Sequence, residues 1–133
     1  MMVKVTCAIL EQHERVLVTQ RSQQMSQPLQ WEFPGGKLEA AETAEAALVR
    51  ELKEELQLDI LPRQQLSPVH HQYGDVQIEL IPFICSYEGG AIQLSEHRAY
   101  QWAALNELAM YNWCAADKPI VAEYLRLRNA APQ

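Results

Sequence analysis

Apolar positions fall into short stretches whose spacing predicts the elements. Val3–Leu10 is rich in β-branched and apolar residues and predicts a strand. Glu11–Glu14 is polar and turn-like, and Arg15–Gln20 alternates as its hairpin partner. Residues 21–30 are polar, include Pro28 and predict a loop. Trp31–Gly36 is an aromatic pair followed by chain-bending residues. Ala44, Leu48, Leu52 and Leu56 then recur every four residues, with Val49 beside them, so Glu42–Leu56 predicts a helix whose start signal is Thr43. Pro62 forbids its extension. Leu66–Tyr73 and Val76–Tyr87 predict two strands around Gly74-Asp75, with a turn at Glu88-Gly89-Gly90. Ala99–Ala103 predicts a short strand, and 104–109 a helical turn. Asp117–Arg128 predicts a second helix, with Asp117 as a candidate N-cap and Ile120, Val121, Tyr124, Leu125 and Leu127 on its apolar side. Residues 129–133 read as a frayed tail.

The order is two strands, a Gly-rich loop, a helix, two or three strands and a helix. Strands with helices on two sides imply an α/β sandwich, as one domain over residues 1–133. Composition agrees, with 48% hydrophobic and 21% charged residues. Cys7, Cys85 and Cys114 are odd in number and far apart, which supports neither a disulfide framework nor a zinc site. The N-terminal stretch lacks the apolar run of a signal peptide, and no run approaches the ~20 apolar residues of a membrane span. The expectation is a cytoplasmic protein with reduced, buried thiols, a monomer or homodimer.

The net charge of −6 argues against a nucleic-acid polymer or an anionic membrane as partner, since both want a basic surface. That charge is not spread evenly. Residues 39–55 hold six acids and two bases, so four of the six net negative charges sit there. Glu51, Glu54 and Glu55 stand at i, i+3 and i+4 on one side of the predicted helix. At ~6 Å each like pair costs about 0.7 kcal/mol in water and nearer ~3 kcal/mol at an effective dielectric of 20. Such a group is either solvated and balanced, for example by Arg50 pairing with Glu54, or it holds a cation. A hard divalent ion suits all-oxygen ligands. Gly35-Gly36 could bring a backbone carbonyl into that shell. Glu42 could bond Arg50 and fix the loop against the helix.

Residues 36–58, GKLEAAETAEAALVRELKEELQL, resemble the Nudix box, Gly-x5-Glu-x7-Arg-Glu-hydrophobic-x-Glu-Glu-x-Gly-hydrophobic. Gly36, Glu42, Arg50, Glu51, Leu52, Glu54, Glu55 and Leu58 match, and Gln57 stands where the family has its second glycine. If the left-handed geometry of that glycine is kept, Gln57 costs on the order of 1 kcal/mol. Trp31–Lys37 and the Asp-Lys-Pro-Ile-Val helix start extend the resemblance to the MutT-like branch. The resemblance implies an α/β/α sandwich with a mixed sheet. It also implies Mg²⁺-dependent hydrolysis, with Mn²⁺ as an alternative ion, of a nucleoside triphosphate to monophosphate and pyrophosphate. The negative charge then points to a nucleotide, because bound divalent ions reverse the local sign.

By the same resemblance, Glu51, Glu54 and Glu55 bind metal with the Gly35 carbonyl, and Glu96 is a further ligand or base. Arg50 belongs to the catalytic set, and Gly36 and Glu42 support it. Arg21 and Lys37 are candidates for the phosphates and Phe33 for stacking on the base, with core packing as the competing role of Phe33. Asp117 is either the cap proposed above or the reader of the base edge. As an ionised acceptor it favours an exocyclic amine such as cytosine N4; protonated by burial, it could donate to a carbonyl. A cytidine-type or an oxidised purine triphosphate such as 8-oxo-dGTP follows. Other nucleoside diphosphate-X substrates (a nucleotide sugar, ADP-ribose, a dinucleoside polyphosphate) are the alternative, and a non-catalytic nucleotide-sensing module a further one. His70 and His71 alternate across a strand and sit at no metal-ligand spacing. Trp31, Trp102 and Trp113 are expected to pack.

Overall fold

In the first strand, β1 (Met2–Gln12), Cys7 and Ile9 point to one side and Ala8 and Leu10 to the other, as a period of two requires. The alternation continues in β2 (Arg15–Gln20), with Val16 and Val18 against Leu17. The long strand β7 (Val76–Gly89) repeats it, with Leu80 and Ile84 against Ile81, Phe83 and Cys85. Two apolar layers result, one on each face of a mixed sheet. Helix α1 (Ala44–Leu56) closes one layer with Ala47, Leu48, Leu52 and Leu56. Helix α2 (Lys118–Asn129) closes the other with Ile120, Val121 and Tyr124. Burying each leucine of α1 contributes roughly 1.5–3 kcal/mol. This computed structural model describes residues 2–129, and the reading of residues 130–133 as part of a tail lies outside them.

β1 and β7 run parallel from Met2↔Gln77 to Glu11↔Ser86. β1 and β2 pair only at Glu11↔Val16 and Gln12↔Arg15, beside the turn, and then diverge. The chain from 31 to 37 fills the wedge between them. β3 (Trp31–Glu32) pairs with the end of β2, β4 (Gly35–Lys37) pairs with Val5–Cys7 of β1, and Phe33-Pro34 crosses the gap. β8 (Ala99–Ala104) covers the other edge of β2. Two further strands, β5 (Asp59–Gln65) and β6 (Val69–Tyr73), pair with successive stretches of β7. Glu11 fastens α2 to the hairpin, accepting from the Tyr124 hydroxyl and pairing with Arg128 at 2.7 Å.

Several expectations change. The strand expected from Leu66 starts only at Val69, and β5 before it was not expected at all. β5 is an edge strand that buries one side chain, Ile60, and bulges between Pro62 and Gln64, so it has no apolar period and tolerates its proline. Val49 and Leu127 are exposed at 40% and 38%, because each lies off the side of its helix that meets the sheet. α1 starts at Ala44 and leaves Glu42 outside, with the Thr43 side chain accepting from Ala46 N–H. Gln57 takes the left-handed conformation, φ 61° and ψ 31°, as the family glycine position implies. Among the described residues no helix is long and apolar enough to cross a membrane. The three thiols are free and buried.

Candidate active site

The wedge segment, Val5–Cys7 of β1, the start of β7, α1 and the turn before α2 line a cleft of about 890 Å³. Its acidic end is lined by Gly35, Gly36 and Lys37 of β4, by Glu51 and Glu55 of α1, and by Glu96 from the loop before β8. β4 lies so close to its neighbours that a side chain at Gly35 would run into the Thr6–Cys7 backbone. One at Gly36 would run into the Glu51 carboxylate. Glu51 is thereby pressed against β4. Burial first, then the charges of Glu55 and Glu54, raise its carboxyl above the usual range, against the pull of Arg50. Glu55 accepts a hydrogen bond from the Ser95 hydroxyl at 3.0 Å.

Arg50 ties this end together from outside the cleft. It grips Glu42 with Nε and Nη2 at 2.7 and 2.8 Å, reaches Glu51 at 3.0 Å and Glu54 at 3.2 Å, and donates to the Lys37 carbonyl at 3.1 Å. Two parallel N–H···O bonds from a planar guanidinium fix orientation as well as distance. The Arg50 hydrogen bonds and the Glu39 N–H hold the Glu42 carboxyl down at about 2. The loop is thus clamped to the helix by the pair expected from the sequence.

At the other end of the cleft, Asp117 is 4% exposed, and its Oδ2 accepts from Phe33 N–H at 2.9 Å. Burial, and then the charge of Glu32, push its carboxyl well above the ordinary range. Tyr73, Ile78, Leu80, Cys114 and Ala116 complete this half-apolar end. Burial drives the Cys114 thiol up to about 12, so it behaves as an inert wall. Asp117 closes a short 3-10 turn, Ala115–Asp117, ahead of α2, and its carboxylate reaches across to the wedge. The cap role is therefore corrected: the carboxylate serves Phe33, not the helix start.

Known proteins resemble this chain in sequence and fold. Residues 1–124 match the NUDIX domain. The chain belongs to the Nudix hydrolase family. It is 34% identical to the CTP pyrophosphohydrolase of Escherichia coli K12 over 131 residues, 98% of this chain and 97% of that one. It is 42% identical to the 8-oxo-dGTP diphosphatase of Proteus vulgaris over 76 residues, 57% of this chain and 68% of that one. The solution structure of the E. coli ORF135 protein superposes with a TM-score of 0.87 at 33% identity, covering 98% and 94% of the two chains.

In this Nudix hydrolase the expected site residues are not all in one place. Gly35, Gly36, Lys37, Glu51, Glu55 and Glu96 share the acidic end, and Phe33, Arg21 and Asp117 line the same cleft. Glu54 does not line it; its side chain is 57% exposed and paired with Arg50. Arg21 lines the cleft and is bonded to Glu32 at 2.8 Å and to the Ser26 carbonyl and hydroxyl at 2.6 and 3.1 Å, so it braces a loop here. Phe33 is 3% exposed and its ring packs on Trp113 with centroids 4.7 Å apart, in line with the core-packing role, while the residue also lines the cleft. Trp113 is buried, Trp31 meets Tyr111 edge-on and Trp102 joins the α1 layer, as packing residues do. Neither His70 nor His71 lines the cleft.

Ser95, Glu32 and His97 were missed from the sequence. Topology brings Glu32 and His97 to the cleft and Ser95 to Glu55. Glu32 lies inside the Trp31–Lys37 segment without being singled out there, and no motif or period marks Ser95 or His97.

Nudix hydrolases use a divalent metal, and the residues present fit one. The acidic end offers carboxylate oxygens and backbone carbonyls, the donors a hard cation takes. Among the described residues no three such side chains are already closed into a ligand cluster. The carboxylates are instead held by Arg50 and Ser95.

Proposed function

We propose that the protein is a magnesium-dependent nucleoside triphosphate pyrophosphohydrolase. It releases nucleoside monophosphate and pyrophosphate from cytidine-type or oxidised nucleoside triphosphates, and so cleans the cytoplasmic nucleotide pool. One observation carries the reading: a single cleft joins an oxygen-rich acidic end to a buried carboxyl at a half-apolar end. A nucleotide has that polarity, with charged phosphates at one end and a flat base with hydrogen-bonding edges at the other. The volume falls in the range of small-molecule sites. The named activities of the E. coli and Proteus relatives point the same way.

Glu51, Glu55 and Glu96 would hold Mg²⁺ together with the Gly35 carbonyl, and Glu54 would join after leaving Arg50. Bound there, the ion supplies neutralising charge to the polyphosphate and makes water more acidic. Lys37 meets the phosphates. A carboxylate oxygen of Glu51 or Glu96 takes the proton of the attacking water. Arg50 keeps Glu51 aligned by holding it, Glu42 and the Lys37 carbonyl in one fork. Asp117 reads the base edge from its anchored position on Phe33 N–H.

The test is a steady-state screen of natural and oxidised nucleoside triphosphates with Mg²⁺, scoring pyrophosphate. Turnover that is lost with chelator and restored by Mg²⁺ is expected. Preference should shift in Asp117→Asn. Release of orthophosphate alone, or no turnover on any triphosphate, would overturn the reading.

A further inference from the structure

The loop before β8 that carries Glu96 is fastened at four points. Gln93 N–H donates to the Leu56 carbonyl at 3.0 Å, and the Ser95 hydroxyl reaches the Glu55 carboxylate and carbonyl. Arg98 N–H donates to the Gln20 carbonyl at 2.9 Å. The fourth point is His97. Its side chain is 5% exposed, and its Nε2 lies 2.8 Å from Oε2 of Glu32. The other oxygen of Glu32 accepts from Arg21 at 2.8 Å. Glu96 therefore sits between two anchors, Ser95 on α1 and His97 on β3.

We propose that His97 is a positioning residue that sets Glu96 at the acidic end of the cleft, through a brace running Arg21–Glu32–His97. Nε2 and Oε2 share one hydrogen bond, the polar link between the ring and β3. Nδ1 is buried without a partner. Among the described residues the ring thus has one polar tether, Glu32. A buried polar atom left unpartnered costs free energy, and the fold tolerates it at the residue adjoining Glu96. Arg21 is itself fixed by Ser26, so the brace ends on a held loop and not on a mobile side chain. This proposal rests on the reading of Glu96 as a metal-binding or proton-accepting group.

The test is a double-mutant cycle of His97→Leu and Glu96→Gln, read by Mn²⁺ binding to nucleotide-free protein in electron paramagnetic resonance and by the kcat and KM of triphosphate hydrolysis. His97→Leu should weaken Mn²⁺ binding and lower kcat by about 10-fold or more, in the range for residues that orient ligands, with KM nearly unchanged. His97→Gln, which keeps an N–H for Glu32, should recover most of the loss. In the Glu96→Gln background His97→Leu should add nothing, because coupled residues are non-additive. Should His97→Leu fail to fold by near-ultraviolet circular dichroism, His97→Asn replaces it in the cycle. Wild-type Mn²⁺ binding and kcat in the His97 variant, or a full effect in the Glu96→Gln background, overturns the positioning role while Glu96 stands. An inert Glu96→Gln removes the Glu96 reading and the positioning role with it.

Discussion

Gly36→Ala adds one carbon at the closest approach between β4 and α1. That carbon would lie 2.7 Å from Glu51 Oε1 and nearer still to the rest of the carboxylate. Ordinary contact begins near 3.4 Å, so the carboxylate must retreat by roughly 1 Å, and a 1 Å misplacement of a reacting group can cost about 10²-fold in rate. The backbone at Gly36 is not left-handed, so alanine brings no conformational strain there. The atom that must yield is the far end of a flexible side chain, so stability should change by less than about 1 kcal/mol. Gly35→Ala is the control. Its added carbon would sit 2.7 Å from Cys7 Cα, against strand backbone that cannot retreat, and overpacking of that kind costs about 1–3 kcal/mol or more. Urea unfolding and steady-state hydrolysis separate the two. Gly36→Ala should keep its unfolding midpoint and lose about 10²-fold in kcat, whereas Gly35→Ala should unfold early. A Gly36→Ala variant with normal kcat would refute the claim that the placement of Glu51 against β4 matters to catalysis.

Gln57→Gly should gain on the order of 0.5–1 kcal/mol in urea unfolding, since the left-handed cost of Gln exceeds the extra freedom glycine has when unfolded; a loss of stability would contradict it. Asp117 keeps its proton in the folded state above pH 3.8, where the unfolded chain releases it, so its contribution to stability falls as pH rises through that window. Asp117→Asn should therefore gain on the wild type as pH rises above 3.8 in thermal melts, and parallel curves would count against the burial argument. Arg50→Lys cannot hold Glu42 in a two-bond grip and the Lys37 carbonyl at once. Its kcat should fall about 10-fold with KM little changed; a purely KM effect would place Arg50 in substrate binding instead.

The helix α1 and its chemistry were legible because one element carries both signals. The Leu48–Leu52–Leu56 stripe fixes which side meets the sheet, and that decides where Glu51 and Glu55 stand. Arg50–Glu42 was legible from spacing and charge, and the left-handed Gln57 from the family position it occupies. β5 was not, because an edge strand takes its conformation from the partner β7 and needs no apolar period of its own. The outward turn of Glu54 was hidden as well. The i, i+4 spacing marks the Arg50–Glu54 pair, but Arg50 bonds Glu51 as well, and only the position of β4 beside Glu51 shows which of the glutamates line the cleft. Asp117 looked like a cap because helix starts favour Asp. Only the splay of β1 and β2, which carries Phe33 to it, reveals a different partner. Ser95 meets Glu55 across 40 residues and His97 meets Glu32 across 65, relations no local pattern records.

The most direct test of the central claim is ³¹P nuclear magnetic resonance of a nucleoside triphosphate incubated with Mg²⁺ and either the wild type or Glu55→Ala. The wild type should convert the triphosphate to monophosphate and pyrophosphate. Glu55→Ala, with an unchanged melting temperature, should slow that conversion by orders of magnitude. Equal rates from the two folded proteins would contradict the assignment of the acidic end as the catalytic metal site.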